Sequence, residues 1–117
     1  MKRVLIVDDS RVSRKMVKNL LDNSGFEVVG EAINGREGYD LYLKLNPDVV
    51  AMDITMPEMN GIEALKLIRE HNNDAKVVII SAAGQEDKKK EALEAGACGF
   101  ITKPYANEDI LEALRNC

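Results

Sequence analysis

Five short apolar runs punctuate this chain, and a stretch with helical spacing follows each of them. The runs are Arg3–Val7, Phe26–Ala32, Asp48–Asp53, Lys76–Ile80 and Cys98–Thr102. Strands that alternate with helices across short connections leave few ways to fold. The helices serve as crossovers between parallel strands and cover both faces of the sheet. The predicted fold class is therefore α/β, a doubly wound five-stranded parallel sheet with right-handed crossovers. Phe26–Ala32 has more polar character than the others and belongs at a sheet edge.

Local signals mark the helices. Ser10 can cap the first, along which Val12, Met16, Leu20 and Leu21 recur at helical spacing before Gly25 stops it. Asn34-Gly35 turns the chain into a helix over Arg36–Leu45, which Asn46-Pro47 ends. A third helix spans about Gly61 to Glu70, with Ile62, Leu65 and Ile68 on one face. A fourth is predicted from about Gln85 to Ala95. It is charged almost throughout, with only Ala92, Leu93 and Ala95 for apolar contact, so it should be the least firmly anchored element. Asn107 is expected to cap the last helix, which turns Ile110, Leu111 and Leu114 inward.

At 117 residues the chain is read as one domain, 1–117, without linker or repeat. A net charge of -4 argues against direct nucleic-acid binding, because phosphate contacts need a basic face. No apolar run reaches membrane-spanning length. The basic, apolar start Met1–Val7 is too short for a secretory signal and meets Asp8-Asp9 at once, so a cytoplasmic location is expected. Cys98 and Cys117 lack metal-ligand spacing, and His71 is the sole histidine, so two reduced structural thiols are expected.

The chemistry lies where the strands end. The first run ends on Asp8 and Asp9, the third on Asp53, the fourth on Ser81 and the fifth on Lys103. Open α/β sheets place their chemistry in the crevice at the carboxyl ends of the strands. With the runs ordered 2-1-3-4-5, these side chains converge. Like charges 4 Å apart repel by roughly 4 kcal/mol at an effective dielectric near 20, so three converging carboxylates need a cation. Mg²⁺ takes hard oxygen ligands and keeps several waters, which suits one or two carboxylates plus a phosphoryl oxygen. Lys103 adds a compact positive charge and Ser81 a hydroxyl donor. Asp53 can then act as a nucleophile and become an aspartyl phosphate.

Taken singly, each residue has a plainer role. One acid of Asp8-Asp9 can cap a helix, Ser81 can simply end a strand, and Lys103 can be a solvated lysine. The Lys88-Lys89-Lys90 run reads as a solvated helix face. Met52, Met56 and Met59 read as packing residues, since thioethers are soft ligands. The joint appearance at four strand ends carries the signal.

Val4-Leu5-Ile6-Val7-Asp8-Asp9-Ser10, Met52–Gly61 (Met-Asp-Ile-Thr-Met-Pro-Glu-Met-Asn-Gly), Ser81-Ala82 and Gly99–Tyr105 (Gly-Phe-Ile-Thr-Lys-Pro-Tyr) resemble the receiver domain of two-component response regulators. The likeness covers essentially the whole chain and is nearest the stand-alone chemotaxis type. The flavodoxin-like strand order 2-1-3-4-5 is also the family's, so it rests on the resemblance as well as on the alternation. The resemblance implies that Asp53 takes its phosphoryl group from a phosphohistidine on a sensor histidine kinase or phosphotransfer domain. It implies Mg²⁺ held by Asp9, Asp53 and the backbone carbonyl of Thr55, with Asp8 acting through water. Ser81 and Lys103 would hold phosphoryl oxygens, and the Lys103–Pro104 bond would be cis. Ser81 and Phe100 would form a coupled switch. Where many relatives have Tyr, Phe100 brings a ring without a hydroxyl. The sparsely packed fourth helix would lie beside that switch and move at low cost, so the face of the fourth helix, fifth strand and fifth helix, with Lys89, Lys90 and Tyr105, is expected to meet a downstream target protein, the chain itself being a monomer.

Three other readings compete. A receiver cut from a longer DNA-binding regulator would carry a linker remnant, and none is seen. An aspartate-nucleophile phosphatase would place a second acid two residues after the nucleophile, where this chain has Thr55. A flavin-binding relative of the same topology would need a phosphate cradle after the first strand, where Asp8-Asp9 would repel the phosphate.

Overall fold

The computed structural model describes residues 1–117. In chain order its elements are β1 (Lys2–Val7), α1 (Arg11–Asp22), β2 (Phe26–Ala32), α2 (Gly35–Leu45), β3 (Val49–Asp53), α3 (Gly61–His71), β4 (Val77–Ser81), α4 (Lys88–Glu94), β5 (Gly99–Thr102) and α5 (Asn107–Asn116). The strands pair in parallel in the order β2-β1-β3-β4-β5. The doubly wound parallel sheet is therefore as the alternation predicted, with β2 and β5 at its edges.

Strand periodicity divides the core in two. Along β1, Leu5 and Val7 face one side and Val4 and Ile6 the other, as period-two side chains must. The first side joins Val50, Met52, Val77 and Ile79 to Tyr42 of α2, Ile62, Leu65 and Ile68 of α3, and Ala92 of α4. The second joins Val49, Ala51, Val78, Ile80 and Ile101 to Val17 and Leu21 of α1 and Ile110, Leu111 and Leu114 of α5. Because helices cover both faces, β3 and β4 are buried along their whole length and read as unbroken apolar runs.

Caps set the helix entries. Ser10 Oγ accepts from Ser13 N–H at 3.2 Å, and Asn34 Oδ1 from Glu37 N–H at 2.8 Å. Asn60 and Glu63 close a reciprocal capping box on α3. At α5 the expected cap is displaced by one residue. Asn107 is the first helical residue, and Asp109 Oδ2 accepts from Ala106 N–H at 3.1 Å instead. The aspartate reaches back to satisfy the orphan donor, so Asn107 has no capping task.

Two helices differ further from expectation. In α1, Val17 and Leu21 point inward, while Val12 and Met16 are exposed. Four apolar residues at helical spacing cover more than the sheet needs. In α4 the helix begins at Lys88, because Ala82–Asp87 is taken up by turns, with Gly84 at φ +92°. It has no side-chain cap and a single fully enclosed residue, Ala92.

The cysteines are not free thiols. Cys98 and Cys117 form a disulfide with their Cα atoms 5.9 Å apart. In a βα unit the helix runs back antiparallel to its strand, so the end of α5 returns to the start of β5. The pairing was hidden because topology, and not spacing along the chain, brings the two together.

Candidate functional site

Asp53 is the last residue of β3, where the sheet's carboxyl edge opens. Its carboxylate is nearly enclosed, and Oδ1 accepts from Ile54 N–H at 3.0 Å. The loop that follows folds back tightly. Gly61 N–H donates to Ile54 O at 2.9 Å, and a Cβ at Gly61 would collide with Asp53 O. Only a glycine lets the first turn of α3 sit against the strand end.

Asp8 leaves β1, the strand next to β3, and is also buried. Its Oδ1 accepts from Ser10 N–H at 2.9 Å. Asp9 is exposed and makes no hydrogen bond or ion pair. The carboxylates of Asp8, Asp9 and Asp53 present oxygens that all lie within 4.8 Å of one another. Lys103 arrives from the end of β5, its backbone N–H donating to Ser81 O at 2.8 Å. Its Nζ stands 3.7 Å from Asp8 Oδ2 and 3.9 Å from Asp53 Oδ2, shared between the two acids and tight to neither. The Lys103–Pro104 bond is cis.

Burial pushes the Asp53 carboxyl up to about 6 from 3.8. The Lys103 ammonium opposes that rise, Asp8 adds to it, the Ile54 N–H lowers it, and Asp9 raises it slightly. Burial outweighs the lysine, so the site is short of positive charge. Hard carboxylate oxygens, grouped and undercompensated, fit a divalent cation of the Mg²⁺ type. The backbone carbonyl of Thr55, two residues on, accepts no hydrogen bond from the chain.

Ser81 is fully buried at the end of β4. Its hydroxyl lies 3.2 Å from Thr102 Oγ1 and 3.4 Å from Ile101 O, so it is held toward β5 and not toward the carboxylates. Phe100 is half-buried on the α3–α4 side of the sheet. Lys89 and Lys90 are exposed on α4. Tyr105 is half-buried, and its hydroxyl is pushed above its usual pKa by burial first, then by Asp8 and Asp53. It thus feels the acidic site as well as lining the surface. Met52 and Met56 pack in the core, as expected of thioethers.

Two features escaped the sequence. An apolar groove of about 850 Å³, which includes Met16, Leu20, Pro104 and Tyr105, opens beside Lys103. The exposed face of α1 was its one signal. The other is Gln85, whose side chain joins Thr55 to the loop after β4. Nothing in a lone glutamine announces that.

The family model described as response regulator receiver domain matches residues 4–115. A chemotaxis protein CheY from Thermotoga maritima is 51% identical over 113 residues, 97% of this chain and 94% of that protein. One from Bacillus subtilis is 47% identical over 112 residues, 96% and 93% of the two chains. The CheX–CheY–BeF₃–Mg²⁺ complex of Borrelia burgdorferi superposes with a TM-score of 0.91 at 38% identity, over 97% of this chain and 86% of that one.

Proposed function

Because the chain belongs to the response regulator receiver family, as a CheY-type domain phosphorylated on aspartate, we propose that Asp53 is the phosphoacceptor and that Lys103 and Ser81 serve it. It is a signalling module and not a turnover enzyme. The observation that carries the assignment is the meeting of Asp8, Asp9, Asp53 and Lys103 at one strand edge.

In this reading Asp9 and Asp53, with the Thr55 carbonyl, would hold Mg²⁺, and Asp8 would act through water. The support is that Asp9 and the Thr55 carbonyl have no hydrogen bond or ion pair within the chain, and that Asp9 and Asp53 bring carboxylate oxygens within 4.8 Å of each other. Bound there, Mg²⁺ would neutralise the charge of the acids and of the incoming phosphoryl oxygens. An Asp53 oxygen forms the new bond to phosphorus as the P–N bond of a phosphohistidine breaks, its electron pair leaving with the imidazole. Lys103 swings its ammonium from the two acids to the phosphoryl oxygens, at a cost that the new charge pair offsets. The Ser81 hydroxyl leaves Thr102 for a phosphoryl oxygen, and the vacated space admits the Phe100 ring.

The donor is a sensor histidine kinase or phosphotransfer domain. The groove beside Lys103 supports an approach from the α1 side. The face of α4, β5 and α5, with Lys89, Lys90 and Tyr105, meets the downstream target, and the chemotaxis relatives favour a chemotaxis pathway. No helix is long and apolar enough to cross a membrane. A cytoplasmic monomer is the working state.

Intact mass after incubation with acetyl phosphate and Mg²⁺ tests the chemistry. The native chain gains one phosphoryl group and Asp53→Asn gains none. An unmodified native chain, or an equal gain in Asp53→Asn, overturns the assignment.

A further inference from the structure

Gln85 makes more of its side chain than any other residue in the loop after β4. Its Oε1 accepts from Ala82 N–H at 2.9 Å, and its own N–H donates to Ala82 O at 3.2 Å. Both backbone groups of Ala82 are thus satisfied by one residue. The remaining group, Nε2, crosses to the neighbouring loop and donates to Thr55 Oγ1 at 2.7 Å. Gly84, at φ +92°, provides the reversal that brings Gln85 back over Ala82. The side chain is half-buried in a loop whose other residues, from Ala82 to Asp87, are exposed. The carbonyl of Gln85 also accepts from Lys88 N–H at 2.9 Å, at the start of α4.

The position of this bridge gives it meaning. β3 and β4 are paired, with Asp53 opposite Ile80. Thr55 stands two residues beyond the end of β3 and Ala82 one residue beyond the end of β4. The bridge therefore spans the gap between the two loops that follow Asp53 and Ser81. We propose that Gln85 is a positioning residue that latches the Thr55 and Ala82 loops together and so prolongs the life of the phosphoryl group on Asp53. The inference rests on Asp53 being the phosphoacceptor.

Loss of the group by hydrolysis needs water in line with the Asp53–phosphorus bond. The water oxygen forms a bond to phosphorus, the Asp53–phosphorus bond breaks with its electron pair returning to the carboxylate, and a water proton passes to solvent. The latch holds the loops at a spacing that hinders this entry. Without it, the loops part and water is admitted more often. Because the latch is joined to the first turn of α4, a partner that displaces α4 would also change the hydrolysis rate.

The test follows phosphoryl loss by intact mass after acetyl phosphate is removed, with Mg²⁺ present. Gln85→Met keeps the length and loses every side-chain hydrogen bond. Thr55→Val keeps the backbone carbonyl and the Gln85 turn, and loses only the bond between loops. Each is expected to speed hydrolysis about three- to ten-fold, the factor that one hydrogen bond represents. The double variant is expected to be no faster than the faster single one, and Gln85→Met to keep the native Mg²⁺ concentration for half-maximal rate. A native rate in Thr55→Val, singles whose effects multiply, or a shifted Mg²⁺ dependence in Gln85→Met would overturn the latch. A native chain that never loads would instead remove the phosphoacceptor reading beneath it. Thr55 is exposed, so its variant keeps the test decisive even if Gln85→Met misfolds.

Discussion

Asp53 is kept where its charge is costly. Its pKa lies near 6 in the folded chain, against 3.8 for the free group. The native state thus holds the proton to higher pH than the unfolded state does, and stability falls as pH rises from about 4 to about 6. Above that range the penalty is complete, at most about 3 kcal/mol and less once solvent screening is allowed for. Asp53→Asn should therefore unfold at higher denaturant than the native chain at pH 7.5 in chelator. The gap should close near pH 4 and narrow when Mg²⁺ is added. Equal midpoints at both pH values would show that the carboxylate is not strained by burial. Gly61 carries a different cost. A methyl group there would press on Asp53 O, and Gly61→Ala should lose about 1–3 kcal/mol by overpacking. It should also slow phosphoryl uptake, because the strand end must shift with the helix; unaltered uptake would separate the loop from the chemistry.

Among the elements, α4 has the least to hold it. It runs only from Lys88 to Glu94, encloses Ala92 alone, leaves Leu93 exposed and lacks a side-chain cap. Helices this short depend on tertiary contacts, so α4 should open at low cost. Its amides should exchange fastest of the helical ones, and beryllofluoride with Mg²⁺ should alter their protection more than that of α3. Unchanged exchange in α4 would count against it as the moving element. Its charged sequence foretold a weak anchor. Its late start was not legible, because the helical spacing of residues 85–87 resembles that of the helix proper, and it is the Gln85 turn that holds them apart.

At the scale of the molecule, the last unit is closed twice. Lys2 Nζ donates to the carbonyls of Leu114, Arg115 and Cys117 at 3.0–3.2 Å, a cation on the C-terminus of α5. The Cys98–Cys117 disulfide closes a loop of sequence separation 19, which in the chain-entropy view is worth about 3 kcal/mol. Reduction, or Cys98→Ser, should lower the unfolding free energy by about that amount, and reductant should then leave Cys98→Ser unaffected. A reductant effect that persists in the variant would place the redox-sensitive element elsewhere.

Alternation of apolar runs with helical spacing was enough for the parallel sheet and its two covered faces, since burial on both sides demands such runs. The acids and lysine at the strand ends were legible for the same reason: a parallel sheet brings every strand's carboxyl end to one edge. Periodicity, however, reports only which side of its own element a residue takes. The Cys98–Cys117 bond, the Gln85 bridge and the turn of the Ser81 hydroxyl toward Thr102 each join segments far apart along the chain. Distance in space settled them, and only the folded molecule supplies it.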